Sequence, residues 1–184
     1  KYIVGHSDVM MGTITTTEEH WRPVRQSVAD LAAPSGPDDV YLALRGLRTL
    51  AVRLARHQET GLTLARWLRD RPEVRRVLHP GLPDDPGHEI WSRDFTGSSG
   101  LFGVVLQDYS HDAIAAMLDG MKLYGMGASW GGFESLILPT APTPIRTATV
   151  WDEGPTIRIH AGLEDADDLL EDFERGLERL NDHG

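Results

Sequence analysis

The chain has 184 residues, enough for one sizeable core or one domain with part of another. It is 40% hydrophobic and 25% charged, as a soluble globular protein should be, and no run approaches the eighteen apolar residues of a membrane span. A net charge of −10 argues against general nucleic-acid binding, and the lack of cysteine removes disulfides, thiolate nucleophiles and cysteine-based zinc sites together.

In chain order, Lys1-Tyr2-Ile3-Val4 leads into a Gly5-His6-Ser7-Asp8 loop, and Met10–Thr15 reads as a strand. A helix is expected from Thr17, with acids in its first turn, and Ala33-Pro34-Ser35-Gly36-Pro37 as a breaker-rich loop. Apolar residues from Leu44 to Leu68 recur at three- and four-residue steps until Arg71-Pro72. That predicts one long helix over 38–72, of the kind that connects two halves of a protein. Strands are expected at Val74–Leu78, Leu101–Leu106, from Leu123, at Ser135–Leu138 and at Thr156–His160. Loops fill His79–Gly100, with a helical turn near His88–Trp91, and Thr143–Pro155. Helices are expected over Asp112–Asp119 and from Asp165 to the end, the latter with Leu169, Leu170, Phe173, Leu177 and Leu180 along one side. The order predicts an α/β chain whose C-terminal part is an α+β layer, with helices on one face of a mostly antiparallel sheet.

Charge is unevenly spread. Ala161–Gly184 holds nine acids and two arginines, a net of −7, whereas Leu42–Arg76 holds nine arginines and three acids, a net of +6. Two solvated helix faces or pairing across a contact would both produce this pattern.

Three chemistries can be weighed on the residues. The histidines His57, His79, His88, His111 and His160 are not in ligand spacing, and His88-Glu89 lacks the second histidine of a zinc-protease motif, because position 92 is Ser. His6-Ser7-Asp8 are adjacent and cannot converge as a hydrolase triad, and Ser129 lacks the Gly-x-Ser-x-Gly frame. Arg158 carries the third possibility. It interrupts the apolar run Thr156–Gly162, where a charge is costly unless paired. Its planar fork suits either an internal carboxylate or the carboxylate of a substrate, with the glycine-rich turn Ser129-Trp130-Gly131-Gly132 letting backbone approach the same ligand.

With those residues in view, the chain resembles the cysteine/methionine-metabolism family of pyridoxal-phosphate enzymes, of fold type I. Lys1-Tyr2-Ile3-x-Gly5-His6-Ser7-Asp8 resembles the second half of the signature around the cofactor lysine. Arg45–Leu50, Ser129-Trp130-Gly131-Gly132-Phe133-Glu134-Ser135 and Ile157–Glu164 agree in order along the chain. Within the family, Asp94–Phe102 and the Trp after Ser129 are most similar to the bacterial cystathionine β-lyase branch.

The resemblance implies pyridoxal 5'-phosphate held covalently by Lys1, which would also remove the Cα proton and protonate the leaving sulfur. It implies that Arg158 binds the substrate α-carboxylate, that Ser129 positions the lysine amine, and that the Trp130 backbone lies beside that carboxylate. The implied reaction converts L-cystathionine to homocysteine, pyruvate and ammonia in a cytoplasmic homotetramer, without nucleic acid, membrane or metal. A γ-synthase or γ-lyase of the same family is the alternative, as is a non-catalytic fragment that only binds another chain. The implied domains are 1–37, the end of the cofactor-binding domain; 38–72, the connecting helix; and 73–184, the C-terminal domain. The family's cofactor ring and phosphate contacts lie mostly upstream of the lysine, so the 184 residues alone are expected to bind cofactor poorly and to show little activity.

Overall fold

The computed structural model describes residues 1–142 and 145–184. Its centre is a five-stranded sheet in the order β1-β2-β5-β4-β3. The strands are β1 (Val74–Leu78), β2 (Leu101–Leu106), β3 (Gly125–Met126), β4 (Leu136–Thr140) and β5 (Thr156–His160). All neighbours are antiparallel except β3 and β4.

Strand alternation sorts the sheet into two faces. Phe102, Val104 and Leu106 on β2, Ile137 on β4, and Ile157 and Ile159 on β5 belong to the main core. Against them pack Leu64, Ala65 and Leu68 of α3 (Leu50–Arg69), Ile114 and Met117 of α5 (His111–Asp119), and Leu169, Phe173, Leu177 and Leu180 of α6 (Ala166–Asp182). Thr156, Arg158 and His160 alternate with the core residues of β5 and so occupy the opposite face. Asp172, fully buried on α6, accepts from the Lys122 and Leu123 amides at 2.9 and 2.7 Å, which fixes the segment entering β3. This is the expected α/β architecture with its mostly antiparallel sheet.

Two expectations are corrected. The single helix over 38–72 is two helices, α2 (Pro37–Leu47) and α3, broken at Arg48-Thr49. The break is held by Arg53, which is only 8% exposed. Its guanidinium donates to the Gly46 carbonyl at 2.8 Å, satisfying a carbonyl at the end of α2, and to the Tyr2 and Ile3 carbonyls at 2.6 and 3.1 Å. Met10–Thr15 is not a strand: it has no regular structure, and none of the five strands pairs with it.

Smaller differences lie at ends. Pro37 starts α2, the helical turn near His88 is α4 (His88–Asp94), and the strand from Leu123 is reduced to Gly125–Met126. The loop expected at Thr143–Pro155 holds from Ile145 onward; Thr143 and Pro144 lie outside the described residues. The remaining helix, α1 (Glu18–Asp30), starts after Thr17 as expected and buries no residue. A second, small apolar cluster joins Val4 and Val9 to Ala43 of α2. Among the described residues no helix is long and apolar enough to cross a membrane.

Candidate active site

The site grows from the face of β5 opposite the helices. Arg158 projects there beside Gly103 of β2 and Leu138 of β4. Its Nη2 donates to the Ser129 and Gly127 carbonyls at 3.2 and 3.4 Å, and its guanidinium carbon lies 5.0 Å from the centre of the Trp130 ring. Among the described residues no carboxylate pairs with it, so one end of the fork is anchored and the other is open. The alternative of an internal ion pair finds no partner here.

His160, two residues on and therefore on the same face, holds the turn that follows Trp130. Gly131 N–H donates to His160 Nε2 at 3.1 Å, and the Gly132 carbonyl oxygen lies 3.2 Å from the same nitrogen. Burial and the nearby charges of Lys1 and Arg158 depress the imidazole to about 4, leaving it neutral at physiological pH. Gly131 has a φ of +86°, and a Cβ there would sit 3.0 Å from the Tyr2 amide nitrogen. Glycine therefore serves both the backbone conformation and the close approach.

Lys1 lies across this turn. A Cβ on Gly132 would be 3.1 Å from Lys1 Cε and 3.3 Å from Ser7 Oγ. The Lys1 carbonyl accepts from Gly5 N–H at 2.6 Å, closing the loop, and Ser7 Oγ donates to Glu134 Oε2 at 2.7 Å. Tyr2 wedges its ring edge against His57 and His160, whose centroids are 5.6 and 6.0 Å away. Burial raises the Tyr2 phenol and lowers His57. Behind the turn, Glu164 accepts from both the Ser135 amide and hydroxyl at 2.8 Å, while Ser135 Oγ accepts from Gly162 N–H at 2.8 Å. This network ties the Ser129–Ser135 segment to the end of β5.

Lys1, Trp130 and Arg158 are thus gathered around one turn. Ser129 contributes its carbonyl to Arg158, whereas its hydroxyl makes no hydrogen bond among the described residues. Residue type and ligand spacing do not distinguish His57 and His160 from the other histidines, nor do they mark Tyr2 or Arg53. The period-two spacing of Arg158 and His160 was the available signal.

The chain matches the family described as Cys/Met metabolism PLP-dependent enzyme over residues 1–178. The chain belongs to that family. It is 45% identical over 185 residues to cystathionine beta-lyase MetC of Escherichia coli, a match spanning 98% of this chain and 47% of that protein. It is 42% identical over 183 residues to an L-alanine/L-glutamate racemase of Wolbachia pipientis wMel, across 98% of this chain and 45% of that one. Its fold matches the crystal structure of a cystathionine gamma synthase from Xanthomonas oryzae pv. oryzae in complex with aminoacrylate and cysteine. That match has a TM-score of 0.88 and 33% identity, and covers 100% of this chain and 49% of the other. The chain spans about half the length of these members of the Cys/Met metabolism family.

The family's cofactor is pyridoxal 5'-phosphate. The residues present suit the part of its site that they supply. The Lys1 amine has no salt-bridge or hydrogen-bond partner among the described residues, and Gly131 and Gly132 leave open the space that a Cβ would fill beside Tyr2 and Lys1.

Proposed function

We propose that the complete protein is a pyridoxal-phosphate-dependent carbon–sulfur β-lyase that cleaves L-cystathionine to homocysteine, pyruvate and ammonia. The observation that carries this is the half-anchored guanidinium of Arg158, stacked on Trp130, without a carboxylate partner among the described residues, one turn away from a lysine amine. Similarity to the Escherichia coli lyase at 45% identity supports the choice of thioether substrate.

In this reading Lys1 holds the cofactor, which when bound supplies an electron sink for the negative charge that develops at the substrate Cα. Arg158 binds the substrate carboxylate through the donors not spent on Ser129 and Gly127. Trp130, 43% exposed, covers the guanidinium and shields that contact from water. Freed when the substrate amine takes its place on the cofactor, Lys1 Nζ would take the Cα proton and deliver a proton to the departing sulfur. Gly131 and Gly132 keep the turn close enough to the lysine for both transfers.

Residues 1–37 would complete a cofactor-binding domain, 38–72 connect it through the α2–α3 elbow, and 73–184 form the C-terminal domain. The Val4–Val9–Ala43 cluster, separate from the core on the sheet, joins the first two of these segments. Assembly as a homotetramer in the cytoplasm goes with this reading.

The test is product analysis on the complete protein with L-cystathionine. Pyruvate is expected. 2-Oxobutyrate would instead indicate γ-elimination, as in the neighbouring γ-branch enzymes. The racemase relative raises a second reading, because a lysine base that removes a Cα proton can also return one. Exchange of solvent deuterium into alanine or glutamate with inversion, and no pyruvate, would replace the lyase proposal by racemisation.

A further inference from the structure

The buried pair His57 and His160 does more than fill space beside Tyr2. Their ring centroids are 5.1 Å apart, and His57 is 0% exposed and His160 1%. His57 Nδ1 lies 2.8 Å from the Ala161 carbonyl oxygen, so that nitrogen must carry the proton, and His57 Nε2 is a bare acceptor. That acceptor is buried and has no partner among the described residues, as is also true of His160 Nδ1.

Counting partners settles the state of His160. If its proton sat on Nε2, it would serve the Gly132 carbonyl but would orphan the buried Gly131 N–H, and two bare nitrogens would be left without donors in the pocket. If the proton sits on Nδ1, Nε2 accepts from Gly131 N–H, and the pocket holds one donor and one acceptor. Only the Gly132 carbonyl goes unmet, and an under-satisfied carbonyl is cheaper than an orphaned N–H. The pocket therefore favours Nδ1–H on both rings.

We propose that His57 and His160 form a proton-ordered relay that positions the Ser129–Gly132 turn against Lys1 and Arg158. It runs from Gly131 N–H to His160 Nε2, from His160 Nδ1–H through one bridging water to His57 Nε2, and from His57 Nδ1–H to the Ala161 carbonyl. The relay ties the turn to α3 on one side and to the end of β5 on the other. Lys1 and Arg158 face His160, Arg53 and Glu164 face His57, and Tyr2 packs on both rings. Adding a proton to His57 would set donor against donor and open the relay, which makes both residues positioning groups. The relay itself rests on geometry; its consequence for Lys1 rests on the lyase reading above.

Neutron diffraction from deuterium-exchanged crystals of the complete protein near pH 8 reads the protons directly. Deuterium is expected on Nδ1 of both rings and on neither Nε2. Deuterium on Nε2 of either ring overturns the relay. In the variant His57→Phe, which removes both ring nitrogens, the Gly131 amide should exchange with solvent deuterium about tenfold faster. In the same variant kcat/KM for pyruvate release should fall about tenfold, the worth of one buried hydrogen bond. An unchanged Gly131 exchange rate in that variant also overturns the relay. Protons placed as proposed in a protein that releases no pyruvate would leave the relay standing and remove the lyase reading.

Discussion

At the scale of single residues, Arg158 and His160 show how one strand face can carry a charge and its neutral neighbour together. Two backbone carbonyls and an indole ring surround the Arg158 guanidinium. Replacing it by lysine keeps the charge but loses the fork, so Arg158→Lys should lower kcat/KM for cystathionine by about 10- to 100-fold, measured as pyruvate release by the complete protein. His160 behaves in the opposite way. Its folded pKa of about 4 lies below that of an ordinary histidine near 6.5, so the unfolded chain binds the proton first as pH falls. The stability it contributes is complete above about pH 6.5 and is lost between there and pH 4, by roughly 3 kcal/mol for a shift of that size. Urea unfolding of the complete protein across that range should show the loss, and His160→Gln should flatten that part of the profile.

At the scale of elements, the sequence was most legible where one face meets a core. The apolar runs at Leu101–Leu106 and Thr156–His160, and the apolar stripe of the last helix, were enough to locate β2, β5 and α6. The α2–α3 elbow was not legible, because Arg48-Thr49 contains neither Gly nor Pro and the apolar period runs through it. What breaks the helix there is a tertiary contact, Arg53 reaching back to Gly46 and forward to Tyr2 and Ile3. Met10–Thr15 failed for the converse reason: β-branched residues make a strand only beside another strand. Lys1, Ser129, Trp130 and Arg158 stood out through motif resemblance, whereas the two histidines gain meaning only from tautomers that no sequence displays. Gly46 offers a test of the elbow. Alanine normally favours a helix by about 1 kcal/mol over glycine. Here a Cβ would lie 2.5 Å from the Ile3 carbonyl oxygen, a backbone atom that cannot rotate aside. Gly46→Ala should therefore destabilise by about 1–3 kcal/mol in thermal unfolding. Gly12→Ala, with nothing within 4 Å of its Cβ, is the neutral control.

At the scale of the whole molecule, order and burial are unequally divided. Every helix that covers the sheet begins at or after Leu50, while α1 buries nothing. Of the seventeen large hydrophobic residues exposed among the described residues, nine precede residue 53. The main core needs none of the first 50 residues, and the Val4 cluster holds only three buried side chains. As a separate polypeptide, the 184 residues should be cut first between residues 10 and 36 by a low dose of protease, leaving a resistant product that contains α3 through α6. Mass spectrometry of the digest checks this; early cleavage within β2 or α6 would contradict it. The Arg53 contacts described with the elbow have a mechanical meaning at this scale. One side chain is bonded at once to the end of α2, through Gly46, and to the two backbone carbonyls that follow Lys1. Any hinge motion that opens the angle between α2 and α3 must stretch one of those bonds. The joint and the lysine segment therefore swing as a single lever, and a push on the far end of α2 is felt within two residues of Lys1.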